Sequence, residues 1–318
     1  MSLQVENLRV HYQTLNGRVQ ALDGATFSID DGEIMGLAGE SGCGKTTLGM
    51  SLIRLTPPMT YIEGKVALDN TELPVWDDRA MRRFRFSEVS VIPQYAMSAM
   101  NPTRKIGRMT AELLKARGLK YRDVEQEFKQ RLDLVGLSDE VLGMYPIELS
   151  GGMKQRVVMV LSTLLNPSLL IADEITSALD VSSQRAVAEM LTEFRDRGWV
   201  KSVIFITHDV SVLAQIADSI MIMYAGKLAE KAPAGSVIHA PKHPYSKLLI
   251  ESLPEMGVRH DERKLAGIPG KPPGLLNPPE GCRFRERCPI AYAKCIEEPP
   301  FAQVAVNHMS ACWRAEEV

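Results

Sequence analysis

The chain has 318 residues, 45% of them hydrophobic and 24% charged, a globular composition that excludes a fibre or a disordered chain. Its net charge of −2, from 37 Lys and Arg against 39 Asp and Glu, gives nucleic acid or an anionic membrane surface little to hold. No apolar run approaches the ~18–20 residues of a membrane helix, and the opening MSLQVENLRVHY lacks the pattern of a secretory signal.

Alternating apolar residues over 3–12 predict a strand, and 19–29 predict a second. Gly17 and Asp30-Asp31-Gly32 supply the turns. Residues 34–38 read as a short buried strand, followed by a glycine-rich turn over 39–44 and a helix over 45–55. Another strand fits 87–92. From 93 to 165 the periodicity is helical, as in 111–117, 124–135 and 151–165. Then come a strand over 169–172, a helix over 182–197, a strand over 203–207 and a helix over 210–217. Residues 219–224 and 228–230 form a hairpin about Ala225-Gly226-Lys227. The pattern is an α/β core interrupted by a helical insertion. Beyond Ala232 prolines crowd in, one helix fits 245–253, and the rest is expected to be mostly loops that burial alone cannot fold.

Three motifs carry chemistry. Gly39-Glu40-Ser41-Gly42-Cys43-Gly44-Lys45-Thr46, with Thr47 beside it, follows a strand and opens a helix. This is the P-loop pattern: glycines turn backbone amides onto the β- and γ-phosphates of a nucleotide. Lys45 sets a charge between those phosphates, and the Thr46 hydroxyl ligates Mg²⁺. Cys43 fills a variable position as a small side chain. Leu169-Leu-Ile-Ala-Asp173-Glu174 is an apolar strand ending in two carboxylates, one for the Mg²⁺ shell and one to polarise the attacking water. Leu149-Ser150-Gly151-Gly152-Met-Lys-Gln155-Arg156 places a serine and two glycines at a helix N-terminus, a second anion site. One nucleotide does not need two such sites in one chain, so the second reads as a grip on the γ-phosphate of a nucleotide held by another copy.

With that motif the chain resembles the nucleotide-binding subunit of ABC (ATP-binding cassette) transporters, over roughly residues 1–230. The resemblance implies a P-loop NTPase fold with an ABC-type nucleotide-binding domain over 1–232 and a helical signature subdomain over about 95–165. It implies that Tyr12 stacks on adenine, that Gln94 senses Mg²⁺ and contacts the membrane subunits, that Asp180 belongs to the D-loop, and that His208 contacts the γ-phosphate. Glu174, His208 and Gln94 become the catalytic set, and Thr46, Gln94 and Asp173 the Mg²⁺ set. Ile175 departs from the family's usual proline, and Tyr95-Ala96 from an Asp-Pro type pair.

The tail resembles the oligopeptide/dipeptide/nickel importer branch, through His243-Pro-Tyr245, Ile268-Pro-Gly-Lys-Pro-Pro273 and the stretch ending in Cys288-Pro289. It forms a small Cys- and Pro-rich appendage over 233–318. Cys282, Cys288, Cys295 and Cys312 are spaced for a four-cysteine metal site. Four thiolates suit a [4Fe–4S] cluster or Zn²⁺, and a site without metal stays open; members of the branch carry the cluster. Arg283, Arg285, Arg287, Lys294 and Arg314 stand among these cysteines, where they could offset a cluster's negative charge.

The expected protein is an ATPase subunit at the cytoplasmic face of a membrane. It would pair with a second, homologous nucleotide-binding subunit and two transmembrane permease subunits, served indirectly by an extracytoplasmic solute-binding protein, with no nucleic acid. Oligopeptides or dipeptides lead as cargo, with oligosaccharides or nickel chelates as alternatives. A soluble ABC ATPase acting on nucleic acid or ribosomes is the rival, opposed by the single cassette, the lack of heptads and the charge of −2.

Overall fold

The computed structural model describes residues 2–94, 98, 100–177, 179–252 and 267–318. Tyr95-Ala96, Ala178 and Leu253 at the end of the last predicted helix lie outside the described residues. An antiparallel sheet is built from β1 (Leu3–Thr14) and β2 (Gly17–Ile29), the two strands predicted over 3–12 and 19–29. A larger sheet begins with β3 (Ile34–Ala38). From β3 the chain runs through the glycine turn into α1 (Lys45–Ser51), then back into the first sheet as β4 (Met59–Leu68) and the short β5 (Thr71–Glu72). β4 was not anticipated: Glu63, Gly64 and Lys65 interrupt its apolar pattern.

After the short α2 (Asp78–Met81) comes β6 (Val89–Ile92), and the helical insertion follows with α3 (Ile106–Lys115), α4 (Glu125–Leu134) and α5 (Gly151–Thr163). Helices and parallel strands then alternate through β7 (Leu169–Asp173), α6 (Val181–Asp196), β8 (Ser202–Ile206), α7 (Val210–Ile216) and β9 (Ser219–Tyr224). β9 turns back as β10 (Lys227–Pro233), and α8 (Ala234–His239) and α9 (Pro244–Glu251) follow. α1 ends four residues before the predicted 55. Leu52 and Ile53 stay buried in the same core, but in a turn.

The large sheet runs β11-β12-β10-β9-β3-β8-β7-β6. Its five strands from β9 to β6 are parallel and read as continuous apolar runs because both faces are covered. Alternate residues serve two cores. Val203 and Phe205 of β8 pack into one core with the helices, while Ile204 and Ile206 face α1 and the antiparallel sheet. α1 lies so close to this face that a Cβ on Gly49 would sit 2.9 Å from Ile206 Cδ1 and 3.1 Å from Ile171 Cγ2.

The tail is not all loop. β11 (Ala302–Ala305) and β12 (His308–Ser310) extend the large sheet, β12 pairing with β10 at Glu230↔Ser310 and Lys231↔Met309. Neither strand has the alternation that would mark it in sequence. The tie is polar as well. The fully buried Glu230 carboxylate accepts from the backbone amides of Lys242 (2.6 Å) and His243 (3.1 Å) and pairs with His308 Nε2 at 2.6 Å. Three groups thus compensate one buried charge.

His243 is buried and its Nδ1 accepts from the Tyr245 amide at 3.1 Å, capping α9. Burial, against the pull of Glu230, pushes its imidazole from 6.5 down to about 4. Between those values the unfolded state holds more protons, so stability rises with pH through this window and is complete above it. Replacing His243 by Asn keeps a capping acceptor that does not titrate. The wild type should lose more stability than His243→Asn on going from pH 7 to pH 4, by up to about 3 kcal/mol, in urea unfolding followed at each pH.

Candidate nucleotide site

The phosphate loop leaves β3 at its carboxyl end, between β8 and β9, where open parallel sheets bind ligands. Gly39, Gly42 and Gly44 have φ of 148°, 78° and 108°. Gly44 is the clearest requirement: a Cβ there would lie 2.1 Å from the Ala21 carbonyl oxygen. The buried Lys45 donates from Nζ to the carbonyls of Gly39 (2.8 Å) and Glu40 (3.1 Å), closing the loop on itself. Cys43 is buried, and burial raises its thiol pKa, so it fills space in the protonated form. Gly226, in the turn after β9, donates its amide to the Cys43 carbonyl at 2.8 Å.

The separated motifs converge here. Thr46 Oγ1 donates to Asp173 Oδ1 at 3.2 Å across 127 residues of sequence. The Tyr12 hydroxyl lies 3.1 Å from Thr47 Oγ1, so the β1 tyrosine stands beside α1. Gln94 Nε2 donates to Glu174 Oε2 at 2.7 Å. Glu174 takes φ of 46°, a left-handed conformation held by the hydrogen bond that its backbone amide donates to the Ile206 carbonyl at 2.9 Å. Burial first, then the adjacent Glu174, push Asp173 up to about 6 against the Thr46 hydrogen bond. A desolvated carboxylate beside a hydroxyl is a poor place for an isolated negative charge and a good one for a divalent cation.

Other predicted residues are placed apart from this cluster. His208 is exposed just beyond the end of β8. Ser150 caps α5, its Oγ accepting from the Met153 amide at 3.3 Å, and Gly151 and Gly152 are exposed at that helix start. Gln155 turns inward: it is buried and donates to the Ile175 carbonyl at 2.8 Å, linking α5 to the stretch after Glu174 within one chain. Asp180 caps α6 through the Ser183 amide at 2.9 Å.

The tail meets the loop directly, which the sequence reading missed. Arg283 does not serve the cysteines but reaches Asp23 at 2.6 Å and the Ala225 carbonyl. Arg287 reaches Glu40 of the phosphate loop at 2.7 and 2.9 Å. Arg314 pairs with Glu317, and Lys294 lies over the Trp313 ring at 3.8 Å. Cys282, Cys288, Cys295 and Cys312 line one small cavity and are free of disulfides. Burial, then the neighbouring thiols, push Cys282 up to about 11. Among the described residues no group of three or more His, Cys, Asp or Glu side chains is set to hold a metal ion.

A family model of the ABC transporter matches residues 22–177, and one of the oligopeptide/dipeptide transporter C-terminal region matches 229–295. The chain is 39% identical to the dipeptide transport ATP-binding protein DppD of Bacillus subtilis, over 98% of this chain and 94% of the relative. The chain belongs to the ABC transporter ATP-binding subunits. It is 37% identical to the probable D,D-dipeptide transport ATP-binding protein DdpD of Escherichia coli, over 98% of this chain and 96% of that one. A solved dimeric ATP-binding cassette bound to ADP and Pi shares the fold, with a TM-score of 0.64 and 23% identity, over 73% of this chain and 98% of that chain. This ABC subunit is an ATPase, and ATP with Mg²⁺ is usual for ABC ATPases. Among its described residues no helix is long and apolar enough to cross a membrane.

Gly44→Ala tests the loop of this ABC subunit. The left-handed φ and the clash with the Ala21 carbonyl should together cost about 2–4 kcal/mol and abolish ATP binding. Calorimetric melting and nucleotide titration read the two effects.

Proposed function

We propose that the chain powers a dipeptide or oligopeptide importer as one of its two ATP-binding subunits. The observation that carries this reading is the joining of a complete ATPase cassette to a C-terminal region of the oligopeptide/dipeptide type, in one chain collinear with relatives named for dipeptide transport. The cassette occupies 1–232, with the helical subdomain at about 95–165, and the C-terminal region 233–318. The subunit sits at the cytoplasmic face of the membrane against two permease subunits and pairs with a homologous ATPase. Exposure of Gly151 and Gly152 at the start of α5 supports a site offered to the partner's nucleotide.

In the mechanism, Tyr12 stacks on adenine and the loop from Gly39 to Thr46 receives the phosphates. Lys45, already inside the loop, supplies the cation. Thr46, Asp173 and Gln94 would hold Mg²⁺. Mg²⁺ held there would supply positive charge against the phosphates' negative charge. Glu174 orients and polarises the attacking water; its hydrogen bond from Gln94 holds the carboxylate in place. His208 approaches the γ-phosphate, and Ser150 with Gly151 and Gly152 closes on it from the partner. Glu174→Gln keeps the shape but loses the base. In the assembled transporter it should retain ATP binding while phosphate release falls about 10²–10⁴-fold, and labelled dipeptide uptake should fall with it. Near-normal phosphate release would remove Glu174 from this role, and uptake of another cargo alone would remove the peptide assignment.

We also propose that Cys282, Cys288, Cys295 and Cys312 hold a [4Fe–4S] cluster that stabilises the C-terminal region. All four donors are thiols around one cavity, and the Arg314 amide points at Cys312 Sγ from 3.4 Å, the kind of hydrogen bond that tunes such sulfurs. Anaerobically purified protein should be brown and contain about four irons and four sulfides per chain. Any single Cys→Ser change should remove the colour. One zinc per chain, or no metal in a folded tail, would overturn the assignment.

A further inference from the structure

Beyond those roles, the contact between tail and phosphate loop has a purpose of its own. Glu40 is the second residue of the loop, and it is held from outside at both its ends. Its backbone amide donates to the Tyr245 hydroxyl at 2.8 Å. Its carboxylate takes a two-pronged pair from Arg287, at 2.7 and 2.9 Å. Its carbonyl, between those ends, accepts from Lys45 Nζ at 3.1 Å. The peptide that faces Lys45 is therefore positioned by two residues of the C-terminal region.

The clamp is itself rigid. The Arg287 side chain is only 5% exposed. Its remaining donors reach the Pro269 carbonyl at 2.7 Å and the Tyr224 hydroxyl at 3.1 Å. Tyr245 is fully buried, with the Tyr224 ring 4.6 Å and the Phe284 ring 5.4 Å away. Bidentate arginine–carboxylate pairing fixes orientation as well as charge.

We infer that Arg287, with Tyr245, is a positioning residue for ATP binding: it holds the phosphate loop in its binding conformation and neutralises the one carboxylate that the loop carries. The inference rests on the ATP site proposed above. Two effects follow. A loop already ordered loses less entropy when phosphates arrive. A neutralised Glu40 does not repel them, whereas a bare carboxylate beside a polyanion would.

The second effect gives a test that a merely structural contact cannot imitate. ATP with Mg²⁺ is titrated calorimetrically into the purified full chain, and thermal melts check folding. Arg287→Gln should weaken binding about tenfold, the size of one lost charged hydrogen bond. Adding Glu40→Gln to that variant removes the unpaired carboxylate and should recover most of the loss. Arg287→Lys, which keeps the charge but not the fork, should fall between, and serves if Arg287→Gln does not fold. Affinity in Arg287→Gln within twofold of the wild type, or a loss that Glu40→Gln does not relieve, would overturn the inference. Lys45→Ala is the control for the site: if it binds ATP as the wild type does, or if the wild type does not bind, the ATP-site reading itself fails.

Discussion

A phosphate loop must turn its amides toward the ligand, so it cannot satisfy them among themselves as a helix or strand does. Its conformation has to be imposed from elsewhere. In this chain the imposition comes from several sides. Lys45 gathers the carbonyls of Gly39 and Glu40, Gly226 holds the Cys43 carbonyl, and the Ala21 carbonyl leaves no room for a side chain at Gly44. The remaining side is closed by Tyr245 and Arg287, more than 200 residues later. The positions of the strands, the hairpin turns and the tail all bear on this one loop.

The parallel sheet converts sequence distance into reach. β3, β8 and β7 lie side by side and end together. Lys45 and Thr46 therefore start a helix at the same edge at which Asp173 and Glu174 emerge from β7. Burial on both faces makes the edge rigid, and it desolvates Asp173 as well. The geometry that orients Asp173 also makes it costly to hold as an unaccompanied charge.

The C-terminal region is knitted into the cassette and is not an attachment. Two strands extend the large sheet, and the buried Glu230 binds amides at the start of the tail and His308 near its end. Arg283 and Arg287, which lie between Cys282 and Cys288, reach into the cassette and pair with Asp23 and Glu40. Arginines that look like counter-charges for cysteines are instead ties between the two parts. Their long stems and forked heads allow one loop to reach the buried Asp23 and the partly buried Glu40.

Chemistry tied to local order was legible in the residues. The glycine turn before Lys45, the apolar strand before Asp173 and Glu174, and the serine-capped start of α5 are each written within about ten residues, because each is one strand, turn or helix end with its own pattern. The parallel strands were legible for the same reason. β4, β11 and β12 were not, since their partners supply the order that their own alternation lacks. Nor was the inward turn of Gln155, or the pairing of Arg287 with Glu40 across 247 residues. An arginine's sequence neighbours say nothing about which carboxylate its long side chain will find. The sequence by itself determined that this chain is an ABC-type ATPase and that a glycine turn joins β3 to α1. Tertiary structure alone decided what holds that loop, because the holding groups come from distant segments whose meeting depends on the register of the whole sheet.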